Sequence, residues 1–259
     1  MRIEKNNEIF KFILNLKKKL DIKFYKKNHT KFYISKNKKK VNPVTNLDKR
    51  IEIFIRNEIK KNYPNHNVIG EEGKNINNNS KYTWVIDPID GTKNFIIGAP
   101  TWSNLIGLYK KNNCLFSFAN FPQLNKFYIA FKKNNYVFVN KKLKKIKLKN
   151  HKKKIQHICI NTFGTLKNKK LFKYLEKTEN LFRITGLDAY NYCLLSEGYI
   201  DIIIEANVKK FDLMPIKLLL KNSGAKIINW NGISNVNYGN IIVSKNIKLI
   251  NQFQKVLKS

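Results

Sequence analysis

Helical and extended hydrophobic patterns alternate along this 259-residue chain, which predicts an α/β (α+β layered) protein of stacked sheets and helices. Two regions carry that expectation. Residues 84–139 hold a succession of short apolar runs divided by turn formers, and residues 155–243 interleave apolar runs with helix-length segments. A hydrophobic content of 42% with 12% aromatics fits a folded core and excludes a disordered chain. At this length the core can be substantial, in one large domain or in two compact halves.

Taken in order, residues 3–20 set Ile9, Phe10, Ile13, Leu14 and Leu16 at near-helical spacing and predict an amphipathic helix. The lysine run at 36–40 reads as a solvated loop without a catalytic role. Residues 47–63 predict a second helix, opened by Asn46 as its cap and closed before Pro64. Strands are expected at 105–108, 116–118, 127–131 and 136–139, separated by Asn112-Asn113, by Pro122 with Asn125, and by Asn134-Asn135. The lysine-rich stretch 141–154 reads as a crossing between halves. Beyond it come a strand at 155–160, helices at 166–176 and 189–196, a strand at 200–205 and a helix at 213–222. Strands at 226–228 and 241–243 and a closing helix from Ile247 complete the chain.

The formal charge is +34, from 51 Lys and Arg against 17 Asp and Glu. Alone, that balance points to a polyanionic partner. Its spread argues otherwise: Lys occurs throughout, accompanied by Asn, Ile, Phe and Tyr, the mixture that AT-rich codons produce. The charge still favours weak, salt-sensitive attraction to polyanions and steers phosphorylated substrates. Cys114, Cys159 and Cys193 lie far apart, without the spacing of a disulfide framework or a zinc site, and fit reduced thiols in a cytoplasmic protein. No signal-peptide pattern and no span-length apolar window occurs. The sequon at Asn28 is accordingly idle, and His29, His66, His151 and His157 show no ligand spacing.

In so basic a chain, acidic residues gathered at the ends of strand-like runs stand out. The segment Trp84-Val85-Ile86-Asp87-Pro88-Ile89-Asp90-Gly91-Thr92 delivers two carboxylates and a hydroxyl. Pro88 and Gly91 are expected to end the strand, leaving Asp87 and Asp90 at the sheet rim within reach of water and substrate. Crowded carboxylates repel one another unless a cation neutralises them, and hard oxygen ligands suit Mg²⁺. An Asp-Pro turn followed by a helix cap is the bland alternative. Two more acidic blocks weigh against it: Glu71-Glu72 bracketed by Gly70 and Gly73, and Glu205 to Asp212 after the apolar run at 200–204.

These blocks, in this order and at these separations, resemble the metal-dependent phosphomonoesterases of the inositol monophosphatase superfamily. The segment Pro43-Val44-Thr45-Asn46-Leu47-Asp48 resembles the family's stretch ahead of the Glu pair, and the likeness runs from about residue 40 to about residue 232. It implies an αβαβα sandwich whose N-terminal α+β half (1–145) carries most metal ligands. The C-terminal α/β half (146–259) carries the last metal Asp and the specificity residues, and the two make a single catalytic unit. By resemblance, Glu71, Asp87 and the carbonyl of Ile89 hold one Mg²⁺. Asp87, Asp90 and Asp212 hold a second, and a weaker third near Glu71 is allowed. Thr92 orients the attacking water with Asp48, Glu71 counts among the catalytic residues, and Glu72 supports the site from behind. Asp90 and the backbone amides of Gly91 and Thr92 meet the phosphate, and Asp212 also touches substrate.

Residues 95–108 and the segment Asp188-Ala189-Tyr190-Asn191-Tyr192 look more like the histidinol-phosphate phosphatase branch than like true inositol phosphatases. Asp188 and Glu205 form an acidic pair suited to the cationic amine of histidinol phosphate; Asp188 as a cap of the helix from Ala189 is the alternative. The chain departs from the family in Phe211 for the usual Trp, in Leu213-Met214-Pro215 opening the next helix, and in Asn222-Ser223-Gly224-Ala225. These departures touch helix packing and subunit contact more than metal chemistry. The expected activity is therefore Mg²⁺-dependent hydrolysis of a small phosphate monoester by a homodimer, with no specific nucleic-acid partner and no membrane. Inositol-1-phosphate, a nucleoside 3′,5′-bisphosphate and fructose bisphosphate are rival substrates on the same scaffold. A catalytically inactive, basic nucleic-acid-binding protein is the rival of another kind.

Overall fold

Two twisted sheets and three sets of helices stack in five layers. The computed structural model describes residues 7–25, 34–35, 44–146, 155–160 and 163–258. The lysine run at 36–40, the sequon, His29, His151 and most of the 141–154 crossing lie outside these residues. The first helix, α1 (Glu8–Leu20), starts at Asn7, whose side chain accepts from the Ile9 and Phe10 amides. A two-residue pair, β1 (Ile34–Ser35) with β2 (Val44–Thr45), leads into α2 (Asn46–Asn62).

The larger sheet has seven strands in sequence order: β3 (Asn67–Gly70), β4 (Tyr82–Asp90), β5 (Ser103–Lys110), β6 (Asn113–Phe121), β7 (Lys126–Phe131), β8 (Asn134–Val139) and β9 (Lys142–Lys145). Only β3 and β4 run parallel, and the short helix α3 (Thr92–Ile96) links β4 to β5. Side chains alternate across this sheet as a half-buried pleat requires, but here both faces are covered. Trp84, Ile86, Ile106, Phe116, Phe118 and Ile129 face α1 and α2, where Phe10 meets Phe116, Phe131 and Tyr136 edge-on at 6.2–6.4 Å. Leu105, Ala119, Phe121 and Tyr128 face the other way, into the middle layer.

The smaller sheet has the order β11 (Leu181–Ile184), β10 (His157–Ile160), β12 (Ile202–Val208), β14 (Gly239–Ser244), β13 (Lys226–Asn229). β10 is parallel to both neighbours, and β14 is antiparallel to both of its own. The middle layer is α6 (Ala189–Glu197), α7 (Lys210–Leu213), a 3₁₀ turn (Met214–Ile216) and α8 (Lys217–Asn222). Ile203 and Val243 join this layer, while Ile202, Ile204 and Ile242 face the outer helices. Those are α5 (Lys169–Glu176) and α9 (Ile247–Lys258), which follow the single turn α4 (Phe163–Leu166) in the chain. Burying each such isoleucine stabilises the fold by about 1.5–3 kcal/mol.

Three expectations are corrected. The strand at 84–87 does not stop at Pro88: β4 runs on to Asp90, with a register shift between Asp87 and Asp90. A bulge absorbs a proline because the extra residue leaves the ladder there, and the Pro88 carbonyl accepts from Asn104 at 2.6 Å. The helix expected at 213–222 is divided by Pro215, which lacks the N–H an uninterrupted α-helix would use. The crossing at 141–154 begins as a paired edge strand, β9, and β11 had no counterpart among the expected strands.

The middle layer is pinned to the large sheet at one close approach. A Cβ on Gly107 of β5 would lie 2.7 Å from the Pro215 Cα, Tyr109 donates to the Met214 carbonyl at 2.8 Å, and the Leu218 amide donates to Ser117 at 3.2 Å. Gly107→Ala is expected to destabilise the protein by about 1–3 kcal/mol, because backbone on the far side has to move. Urea unfolding measures this, and an unchanged midpoint would contradict the packing described.

Candidate metal centre

Each acidic block reaches the centre on a different element. β4 brings Asp87 and, after the bulge, Asp90; the loop after β3 brings Glu71 and Glu72; α7 brings Asp212; the N-terminal boundary of α6 brings Asp188. Asp87, Asp90 and Asp212 each offer a carboxylate oxygen, and these oxygens lie within 4.8 Å of one another. With Glu71, Ile89, Gly91, Thr92 and Asp188 they line a pocket of about 170 Å³. The sequence placed Asp87 and Asp90 at an accessible rim. Instead they are 1% and 5% exposed, because the extended β4 keeps both inside the stack.

Burial first, and the neighbouring carboxylates next, push the Asp87 and Asp90 pKa values well above the ordinary range. The same causes raise Asp212 to about 7, against a hydrogen bond from the Lys209 amide (2.9 Å) that lowers it. Glu72, half-buried beside Glu71, Asp48 and Glu52, also rises to about 7. Asp90 Oδ2 accepts from the Ala189 amide at 2.9 Å and from Ser103 at 3.2 Å. Asp87 Oδ1 is buried and accepts no hydrogen bond among the described residues. A buried carboxylate oxygen without a donor, in a cage of oxygen ligands, has the chemistry a Mg²⁺-sized cation requires. The residues present therefore fit the metal.

The Thr92 hydroxyl donates to the Ile89 carbonyl at 3.1 Å and lies 3.5 Å from Asp48 Oδ1. Gly91 adopts φ +76°, and a Cβ there would stand 2.7 Å from Asp188 Oδ2. Only glycine lets Asp188 close over that turn. Asp188 makes no side-chain capping bond to α6; its Oδ2 accepts from Asn94 at 3.1 Å. Glu205 does not line the pocket. It is buried behind, where its carboxylate accepts the Tyr192 hydroxyl.

Three contributors were missed. Glu52, one helical turn after Asp48 on the otherwise apolar face of α2, is buried and accepts the Glu72 and Gly73 amides, both at 2.8 Å, and Arg56 Nε at 2.7 Å. It therefore shapes the loop that presents Glu71. A carboxylate at i+4 from Asp48 among Leu47, Ile51, Ile55 and Ile59 was the available signal. Lys209 pairs with Glu71 across the pocket, and Asn94 bridges Asp188 and Thr101. Neither could be found from spacing alone.

The profile of the Inositol monophosphatase family matches residues 6–257. The chain belongs to the inositol monophosphatase family. Its members are metal-dependent phosphoric monoester hydrolases. The chain is 28% identical over 201 residues to a protein named Bifunctional phosphatase IMPL2, chloroplastic, of Arabidopsis thaliana, covering 74% of this chain and 56% of that protein. It is 24% identical over 216 residues to the Histidinol-phosphatase of Mycobacterium tuberculosis, covering 79% and 81%. Further relatives carry the names Fructose-1,6-bisphosphatase/inositol-1-monophosphatase and Nus factor SuhB. The solved structure of a Thermotoga maritima IMPase superposes with a TM-score of 0.78 at 22% identity, covering 96% of each chain, and shares the fold. No helix among the described residues is long and apolar enough to cross a membrane.

The raised pKa values give a signed pH dependence. Without metal, the folded chain holds protons that the unfolded chain releases near its ordinary carboxylate pKa. The stability from these groups is therefore full below about pH 4 and is lost as pH rises towards about 7. A cation binds only the ionised carboxylates. The increase in Tm on replacing EDTA by Mg²⁺ is therefore expected to grow between about pH 5 and about pH 8. An increment independent of pH would refute the assignment.

Proposed function

We propose that the chain is a Mg²⁺-dependent histidinol-phosphate phosphatase, converting L-histidinol phosphate and water to L-histidinol and phosphate. The observation that carries this reading is Asp188, a carboxylate on the wall of the acidic pocket, held over Gly91 and oriented by Asn94. A substrate ammonium there gains a charge-assisted hydrogen bond of about 1.5–3 kcal/mol, where a cyclitol hydroxyl gains about 1 kcal/mol. The relative named Histidinol-phosphatase supports the same choice. Glu205, whose carboxylate accepts the Tyr192 hydroxyl, stands outside the pocket lining and is not a substrate contact in this reading.

In this reading Glu71, Asp87, Asp90, Asp212 and the Ile89 carbonyl hold two Mg²⁺. Bound there, the cations supply Lewis acidity toward the phosphate oxygens, the water and the departing alkoxide. The chain's own groups do the positioning. Thr92 Oγ, its proton directed to Asp48 or to the Ile89 carbonyl, accepts a hydrogen bond from the attacking water. Gly91 and Thr92 stand at the start of α3, where the first N–H groups have no intrahelical partner and can meet the phosphate. Glu72 and Glu52 keep Glu71 in place. The reading includes a reducing, cytoplasmic setting, supported by the three cysteines without disulfides, and the homodimer that the resemblance implies.

Phosphate release with Mg²⁺ across histidinol phosphate, inositol-1-phosphate, a nucleoside 3′,5′-bisphosphate and fructose 1,6-bisphosphate tests the substrate. Histidinol phosphate is expected to lead in kcat/KM by about tenfold, the equivalent of about 1.4 kcal/mol. Asp188→Ala should remove that lead while changing inositol-1-phosphate turnover by less than about threefold; equal losses on both substrates would end the amine-binding role. Asp90→Asn should lower kcat by about two or more orders of magnitude with the fold intact, as loss of an anionic ligand demands.

A further inference from the structure

A second cavity, of about 400 Å³, opens between the β5–β6 turn, α8 and the start of β13. It shares no residue with the acidic pocket. Lys217, Lys221 and Lys226 line it, with Tyr109, Leu218 and Ile227 as its apolar wall. Lys217 is half-buried, and its ammonium is held by neutral oxygens: Asn235 Oδ1 and Asn237 Oδ1 at 2.8 Å and the Asn235 carbonyl at 3.3 Å. Burial holds its pKa below the ordinary lysine value. All the lining residues fall within 109–114 and 217–235, inside two long stretches, 91–175 and 213–259, that contain no Asp or Glu. Three lysines thus line a cavity whose own chain segments supply no carboxylate. Positive charge lining a concave surface attracts an anion to it.

We propose that this cavity binds a small phosphorylated molecule of the nucleoside diphosphate kind. Its phosphates meet Lys217, Lys221 and Lys226, and its body lies against Tyr109, Leu218 and Ile227. The side-chain amides of Asn112 and Asn113 at the mouth offer both donors and acceptors to a base edge. The cavity volume suits a ligand of this size, and the paired lysine and amide groups give it a polar and a cationic end.

The test is isothermal titration of the full chain with α,β-methylene-ADP, in Mg²⁺ and saturating inorganic phosphate so that the acidic pocket is filled. One site per chain is expected. The triple variant Lys217→Gln, Lys221→Gln, Lys226→Gln should weaken binding by about tenfold or more while phosphatase turnover is retained. A charge-matched control, Lys133→Gln, Lys144→Gln, Lys255→Gln, should stay within about twofold. If the triple variant fails to fold, the exposed Lys226→Gln alone should cost about threefold. Absence of saturable binding overturns the proposal. So does an equal loss in the control, which assigns the affinity to net charge, or competition by adenosine as effective as the diphosphate. An unchanged affinity in Lys226→Gln, where only that variant folds, does the same.

Discussion

Mutual repulsion among buried carboxylates is the constraint around which this molecule is arranged. Asp87, Asp90 and Asp212 bring oxygens within 4.8 Å, the first two buried and the third partly so, an arrangement stable only with protons or cations in place. Much of the surrounding structure serves to hold the three together. The bulge in β4 turns two successive acidic positions toward one pocket. Amides of Ala189 and Lys209 donate to Asp90 and Asp212, and Lys209 supplies a positive charge opposite Glu71. Glu52 fixes the loop that carries Glu71 through two backbone amides and Arg56. The centre is thus assembled from the large sheet, the helices beside it and the middle layer, and no single element contains it.

Much of this was legible in the sequence, for identifiable reasons. Acidic residues are scarce here, so Glu71, Asp87, Asp90 and Asp212 stood out at the ends of apolar runs. Helix α2 was evident from its apolar face and from Pro64, and the hairpin strands from their Asn-rich turns. What escaped was set by tertiary contacts. β9 is Lys-Leu-Lys-Lys, an edge strand whose charges discourage pairing on its far side and conceal its pairing on the near side. β11 exposes most of its side chains and has no burial alternation to read. The continuation of β4 through Pro88 depends on Asn104 across the sheet, and the break of the 213–222 helix follows from one missing N–H.

The site shows the same division. The acidic residues, Gly91 and Thr92 that line the pocket were singled out, because their chemistry demands particular side chains at particular places, whereas Lys93 and Lys209, which also line it, were not. Residues that act by holding others were not: Glu52, Asn94 and Lys209 look like ordinary helix and loop residues until the fold brings them to their partners. Glu205 shows the converse, an acidic residue in the right stretch whose carboxylate is taken by Tyr192. Acidic residues that line the pocket and acidic residues that brace their neighbours differ in their surroundings, and composition does not report surroundings.

The uneven placement of charge has a kinetic consequence. Negative groups are concentrated around one cleft of a chain whose formal charge is +34. An arriving divalent ion is repelled at a distance and attracted only at the threshold, whereas an arriving ester is drawn in from afar. Dissolved salt shortens both fields. It therefore favours loading of the ion and disfavours capture of the ester, two opposed effects at one cleft.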